Sequence, residues 1–137
     1  MAARPILIVD DDIDHAVILR TVLSAVAPEA PAETCTDPTR LPEVLLSAPA
    51  DAVVFIDRML SGVASFGHLE RARDARPDLH VVLLSSALSE DDRDRARAAG
   101  AQDALEKPGT LAEWRVMLGQ VLDAANRSAD EWGARVG

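Results

Sequence analysis

The sequence predicts a doubly wound α/β domain, with helices packed on both faces of a five-stranded parallel sheet. Three observations carry this. The runs Ile6-Leu7-Ile8-Val9, Ala52-Val53-Val54-Phe55-Ile56 and Val81-Val82-Leu83-Leu84 are apolar at every position, as strands covered on both faces are. Longer stretches of three- and four-residue periodicity separate them, which makes right-handed helical crossovers the natural connection. A chain of 137 residues suits one domain that buries about two-thirds of its unfolded surface.

The first helix follows the first run, with Ile13, Ala16, Val17, Leu19, Val22, Leu23 and Val26 on its apolar face and Pro28 ending it. Glu33-Thr34-Cys35-Thr36 is a weaker strand of mixed polarity, suited to the outside of the sheet. A short second helix spans Leu41 to Ala48, with Pro49 beyond it, and a third spans Ser65 to Ala75, closed by Arg76-Pro77-Asp78. The fourth, Ser89 to Ala99, opens on a capping box with Asp92 in the acidic position and stops at Gly100. Asp103-Ala104-Leu105-Glu106 is the second outer strand. A capping box at Thr110-Leu111-Ala112-Glu113 starts the fifth helix, whose stripe is Leu111, Trp114, Leu118, Val121, Leu122 and Ala125. The domain is expected over 1–126, with 127–137 a frayed tail or the start of a linker.

Composition narrows the function. A net charge of −9 argues against nucleic acid or an anionic membrane as partner, since phosphate backbones are neutralised by Lys and Arg. Aromatic residues are 3% of the chain and Tyr is absent, so the core must be aliphatic and base stacking has no platform. A single cysteine, Cys35, forms no internal disulfide and fits a reducing cytoplasm; it is expected to be a small buried hydrophobe. No apolar run approaches the ~20 residues of a membrane span.

Ligands of such sheets bind outside the carboxyl ends of the strands. Those ends carry Asp10-Asp11-Asp12, Asp57, Ser85-Ser86 and Lys107-Pro108. Neighbouring carboxylates repel and need a cation, and a hard oxygen-seeking ion such as Mg²⁺ is the natural one. A carboxylate beside it can serve as a nucleophile and form an acyl phosphate, with an ammonium and a hydroxyl holding the phosphoryl oxygens. Asp12 reads more simply as the N-cap of the first helix. Each rim residue alone has a bland explanation; four of matched chemistry do not.

These motifs, with Ala99-Gly100-Ala101 leading to Lys107-Pro108, resemble the receiver domain of bacterial two-component response regulators over about residues 4–126. The separations of 46 and 47 residues from Asp11 and Asp10 to Asp57, and of 22 from Ser85 to Lys107, fit that family. The resemblance implies a flavodoxin-like (βα)5 fold with strand order 2-1-3-4-5. It implies that Asp57 is the phosphoacceptor for a phosphohistidine on a sensor histidine kinase or phosphotransfer protein. Asp11, Asp57 and the Met59 carbonyl would ligate Mg²⁺, with Asp10 acting mainly through a metal-bound water. Lys107 would pair with Asp57 and then with the phosphoryl oxygens, which Ser85 would also meet, with Ser86 in the same loop. The Lys107–Pro108 bond would be cis, which only an X-Pro bond adopts cheaply. Such a chain is a signalling phosphoacceptor rather than an enzyme, and catalyses at most its own phosphorylation and dephosphorylation.

Departures from the pattern concern output. Ser61 stands where the family has Pro, and Ser65 where it has Gly, so the loop after Asp57 is expected to follow a different path. Ala104 replaces the usual ring three residues before the lysine, and Gly109 the usual bulky residue after Lys-Pro. With no ring to relay movement of Ser85, activation is expected to remodel the loop after Ser85 and the fourth helix, which offers only small alanines to the core. Met59 and Ala87 cannot orient an attacking water, so the acyl phosphate is expected to be long-lived. With only residues 127–137 remaining, output is expected through a downstream protein, onward phosphotransfer or a homodimer.

His15, His68 and His80 are dispersed and read as solvated or internally satisfied; Arg71, Arg73 and Arg76 read as a solvated helix face. Trp114 belongs to the core stripe, whereas Trp132 in the polar tail has no assigned role. Two other readings compete. A haloacid-dehalogenase-like phosphohydrolase would use Asp10 as nucleophile, but Asp14 breaks its motif and Asp57 would be idle. A degenerate receiver would serve only as a binding module, against the intact acidic pair, acceptor, hydroxyl and lysine.

Overall fold

The computed structural model describes residues 4–136, with side chains through 126. Chain order is β1 (Ile6–Val9), α1 (Ile13–Val26), β2 (Ala32–Cys35), α2 (Leu41–Ser47), β3 (Val53–Asp57), β4 (Met59–Leu60), β5 (Val63–Ala64), α3 (Phe66–Ala75), β6 (His80–Ser85), α4 (Glu90–Ala98), β7 (Asp103–Glu106) and α5 (Leu111–Val136). The main sheet runs β2-β1-β3-β6-β7, and every pair in it is parallel. This is the flavodoxin-like order 2-1-3-4-5, counting the five main strands alone.

The solid apolar runs are explained by a core on each face. Odd and even strand positions point oppositely, so Leu7, Val9, Val54, Ile56 and Leu83 pack toward Leu41, Leu45, Leu69, Ala72 and Ala96. Ile6, Ile8, Phe55, Val82 and Leu84 face Leu19, Leu23, Trp114, Leu118 and Val121. Cys35 and Trp114 are buried in these two clusters, as the sequence predicts. Caps set the helix starts. Asp12 accepts from the Asp14 and His15 amides before α1, and Ser89 with Asp92 completes the capping box of α4. At α5, the Glu113 amide donates to Thr110 Oγ1, while the Glu113 carboxylate accepts from the Thr110 hydroxyl rather than from its backbone.

Several expectations are corrected. Asp57 and Ser85 are the last residues of β3 and β6 rather than the first beyond them. The β4–β5 hairpin is an addition, with Ser61 and Gly62 at φ 50° and 78° between Leu60 and Val63. Positive φ at both central positions is a type I′ turn, which a proline with φ near −65° cannot enter. Serine in place of the family's proline therefore permits the hairpin. The Lys107–Pro108 peptide is trans, as are all peptide bonds among the described residues; trans is the lower-energy isomer of X-Pro by about 0.5–1 kcal/mol. The stretch expected as a frayed tail continues α5 to Val136, in keeping with its lack of proline and its several good helix formers. The Trp132 side chain lies outside the described residues.

Of the arginines after β5, Arg71 and Arg73 are exposed as expected, and Arg76 is corrected. Arg76 does not face solvent: its Nη1 donates to the carbonyls of Leu45, Leu46 and Ala48, ending α2, while its Nε and Nη2 grip Asp78 at 3.0 and 2.9 Å. That grip, first of all its hydrogen bonds, lowers the Asp78 pKa to about 2. Arg73 donates to the carbonyl of Ala98 at the end of α4. Gly100 follows with φ 105°, and a Cβ there would stand 2.7 Å from Arg73 Cβ, so both backbone and space require glycine.

Candidate functional site

Parallel pairing brings the ends of β1, β3, β6 and β7 to one rim. Strand spacing puts β7 about 10 Å from β3, with β6 between, so only a long side chain spans the gap. Lys107 does this. Its backbone amide donates to the Ser85 carbonyl, extending the β6–β7 ladder, and its ammonium reaches Asp57 Oδ2 at 3.0 Å and Asp10 Oδ2 at 3.1 Å. Its side chain is 9% exposed and that of Asp10 2%, so the ion pairs are shielded from water.

Charges balance incompletely there. Burial raises the Asp10 pKa above the ordinary carboxylate value, against the pull of the Asp12 amide and of Lys107. Burial opposes the Lys107 charge as well, yet its bonds to Asp57 and Asp10 outweigh that and hold its pKa above the lysine norm. Asp57 is further fixed by the Met59 amide, 3.2 Å from Oδ1, while its own carbonyl accepts from the Ser65 hydroxyl at 2.8 Å. Ser65 is fully buried as the N-cap residue of α3, so the serine in place of the family's glycine ties the acceptor strand to that helix.

Asp10, Asp57 and Lys107 therefore come together as the sequence predicts. Asp11 is placed differently: it is exposed, and its Oδ2 accepts from the Ser61 amide at 2.8 Å in the hairpin turn. Ser85 is buried but turned away, donating to the Ala87 carbonyl at 3.0 Å and accepting from Arg58 Nε at 3.1 Å. Ser86 lines a cavity of about 450 Å³ with His15, Ile18, Lys107, Leu111 and Trp114.

Two residues escape the sequence reading. His15, on the first turn of α1, has Nδ1 3.0 Å from Lys107 Nζ and 3.9 Å from Asp10 Oδ2, so it borders the site while its side chain stays partly exposed. Its position over the end of β1, five residues after Asp10, was the available signal. Arg58 joins the Ser85 hydroxyl to Asp92 of α4, with Nη1 3.9 Å from that carboxylate. Its signal was only its adjacency to Asp57. His68 and His80 stay outside, and burial lowers the pKa of each; His68 Nδ1 is enclosed without a hydrogen-bond partner.

Donor atoms of Asp10, Asp57 and His15 lie within 4.8 Å of one another. Two carboxylates converging on one point, with a third close by in the chain at Asp11, are a donor set that fits a divalent cation. A carboxylate nucleophile, a buried ammonium and a nearby hydroxyl suit phosphoryl transfer to Asp57.

The family model for the response regulator receiver domain matches residues 6–118. Solved structures of similar fold include the signal receiver domain of a DNA-binding response regulator from Colwellia psychrerythraea 34H, at 25% identity and TM-score 0.74, covering 88% of this chain and 98% of that one. A CheY-like receiver domain protein from Methanospirillum hungatei JF-1 matches at 19% identity and TM-score 0.75, covering 91% and 98%. A response regulator from Burkholderia pseudomallei, solved with a phosphorylated aspartic acid, calcium ion and citrate, matches at 17% and 0.73, covering 96% and 74%. No curated protein matches the chain in sequence.

Proposed function

The chain belongs to the response regulator receiver domain family, and from that premise we propose that it accepts a phosphoryl group on Asp57 from a phosphohistidine of a sensor histidine kinase or phosphotransfer protein. Receiver domains are signalling phosphoacceptors rather than enzymes. The observation that carries the reading is the single buried ammonium of Lys107 shared by Asp57 and Asp10 at 3.0 and 3.1 Å. The Asp57 carboxylate attacks phosphorus, an O–P bond forms as the N–P bond breaks, and the departing imidazole keeps the electron pair and takes a proton from solvent. Lys107 orients the carboxylate for attack and then meets the charge on the transferred group. Asp10, Asp57 and, from its place in the family motif, Asp11 would hold Mg²⁺, which supplies positive charge to the phosphoryl oxygens.

Ser85 makes the site responsive. Its proton is engaged by the Ala87 carbonyl, so donating to a phosphoryl oxygen means giving up that bond and freeing the loop before α4. Arg58 then couples the same hydroxyl to Asp92 in the first turn of α4. This supports output through the Ser85 loop and α4, despite Ala104 in place of a ring. Exposed Ile18 and Leu111, which line the Lys107 cavity, offer an apolar margin on which a phosphodonor protein can sit. Among the described residues no helix is long and apolar enough to cross a membrane. Reading Asp10 as a dehalogenase-type nucleophile has lost its support, because Asp12 of that motif is spent capping α1.

Incubation with acetyl phosphate and Mg²⁺ is expected to label the chain once, on Asp57, and Asp57→Ala to abolish the label. Label on Asp10 would revive the phosphohydrolase reading. No label on a folded, cation-binding chain would leave a binding module.

A further inference from the structure

We propose that His15 is a positioning residue for phosphoryl transfer: its Nδ1 takes the third N–H of Lys107 and holds the ammonium toward the mouth of the site. The inference rests on the reading of Asp57 as phosphoacceptor, and goes beyond it in naming what aims the lysine. Its first support is the match of donors to acceptors. An ammonium carries three N–H donors and no acceptor. Lys107 Nζ has three partners at matched distance, Asp57 Oδ2 at 3.0 Å, Asp10 Oδ2 at 3.1 Å and His15 Nδ1 at 3.0 Å. Because the ammonium can only donate, Nδ1 presents its lone pair to it and the ring proton sits on Nε2. The carboxylate oxygens of Asp12 and Asp10 stand 3.7 and 3.9 Å from Nδ1, beyond hydrogen-bond reach, so Lys107 is the partner this nitrogen serves.

Depth is the second support. The Asp10 side chain is 2% exposed, that of Asp57 16% and that of His15 43%, so the three acceptors run from the floor of the pocket to its mouth. A phosphoryl group comes from the solvent side, and its charge sits on oxygens outside the carboxylate that receives it. A lysine drawn by the carboxylates alone would settle toward buried Asp10, because ionic attraction is stronger where water is excluded. His15 supplies the outward pull. An imidazole suits the task, since a carboxylate at that place would repel the incoming phosphoryl group.

The two ends of this bond are anchored independently. His15 is fixed on the first turn of α1, where its amide donates to the Asp12 cap at 3.3 Å. Lys107 follows β7, and its amide donates to the Ser85 carbonyl at 2.8 Å. The bond therefore sets the ammonium against the helix that starts just after the acidic pair. The exposed ring can be changed without opening the core.

The test compares wild type, His15→Leu and His15→Asn as full chains at pH 8, with acetyl phosphate and Mg²⁺. Leucine removes the acceptor, whereas asparagine restores one on Cγ, where Nδ1 is attached. The rate of Asp57 labelling is expected to fall about tenfold in His15→Leu, the order that one hydrogen bond to a charged group supplies. In His15→Asn it should return to within about threefold of wild type. Lys107 is the one lysine in the sequence, so its Nζ NMR signal is unambiguous. That signal should differ between His15→Leu and His15→Asn, neither of which carries the ring. Equal labelling rates in wild type and His15→Leu overturn the role of His15 and leave the phosphoacceptor standing. Equal losses in the two variants, with a common Nζ signal, overturn it as well, because packing of the ring would then be the cause. A wild type that takes no label on Asp57 overturns the phosphoacceptor and the inference together.

Discussion

Replacing Lys107 by methionine keeps most of the stem volume and deletes the one cation that Asp10 and Asp57 share. Breaking a buried ion pair by removing one partner costs about 3–5 kcal/mol, because the other charge is left uncompensated. Here the loss has a ceiling, since Asp10 can take a proton instead. From an ordinary carboxylate value of 3.8, protonation at pH 7.5 costs at most about 5 kcal/mol, at about 1.36 per pH unit. Burial has already raised the Asp10 pKa, and without Lys107 it rises further, so the ceiling is lower still. At pH 5 the same arithmetic allows no more than about 1.6 kcal/mol. The sign follows from a carboxylate whose folded pKa lies above its unfolded value: the folded state is penalised above the folded pKa and relieved as pH falls through it. Lys107→Met is therefore expected to lose about 3–4 kcal/mol at pH 7.5, a Tm drop on the order of 10–15 °C for a domain of this size. Most of that loss should return at pH 5. Differential scanning calorimetry at both pH values, with wild type alongside, reads the result. An equal loss at the two pH values would mean that Lys107 acts through packing, and would refute the charge-sharing argument.

Arg58→Ala is expected to increase amide exchange across residues 87–100 without phosphorylation, because the guanidinium that joins Ser85 to Asp92 is gone; beryllofluoride should then produce a smaller further change than it does in wild type. Unaltered exchange in the variant would remove Arg58 from the path. Gly100→Ala is expected to destabilise the domain by about 1–3 kcal/mol in urea, since φ is 105° and the new methyl meets Arg73 Cβ at 2.7 Å. The acyl phosphate on Asp57 is expected to outlast minutes in purified protein, with Met59 and Ala87 unable to orient a water; loss within seconds of removing the donor would contradict this.

The fold was legible because its signals are local and repeated. Val53 to Ile56 must be covered on both sides, and caps such as Asp12 and Ser89 declare where helices begin. Asp10, Asp57 and Lys107 were legible because a parallel sheet gathers strand ends wherever they lie in the chain. What escaped depends on side-chain direction. His15 and Arg58 are ordinary helix and loop residues in sequence, and only rotamers bring them to Lys107 and Ser85. The I′ turn at Ser61-Gly62 required φ signs that serine does not advertise. Arg76 read as surface because its partners, the carbonyls ending α2, are some thirty residues away.

The shortage of rings shapes how α4 is held. Within that helix only Ala96 is buried, so apolar contact contributes little. Polar ties replace it: Arg93 to the Ala104 carbonyl at 2.7 Å, Glu106 to the Leu88 amide at 3.0 Å, Arg73 to the Ala98 carbonyl at 2.8 Å, and Arg58 toward Asp92. Arg95 adds its guanidinium over the Phe66 ring, 4.4 Å from the centroid. Such ties are individually weak and exchange readily with water, whereas a buried ring resists removal until the core opens. The helix is thus secured by contacts that break one at a time, and two of them, at Ala104 and Glu106, end on the strand that leads to Lys107. The loop amide held by Glu106 belongs to Leu88, next to the Ala87 carbonyl that Ser85 must release. A change at Asp57 accordingly reaches α4 mainly through these polar ties, so its output should weaken with substitutions of Arg58, Arg93 or Glu106 and tolerate apolar changes at Ala104 that preserve the fold.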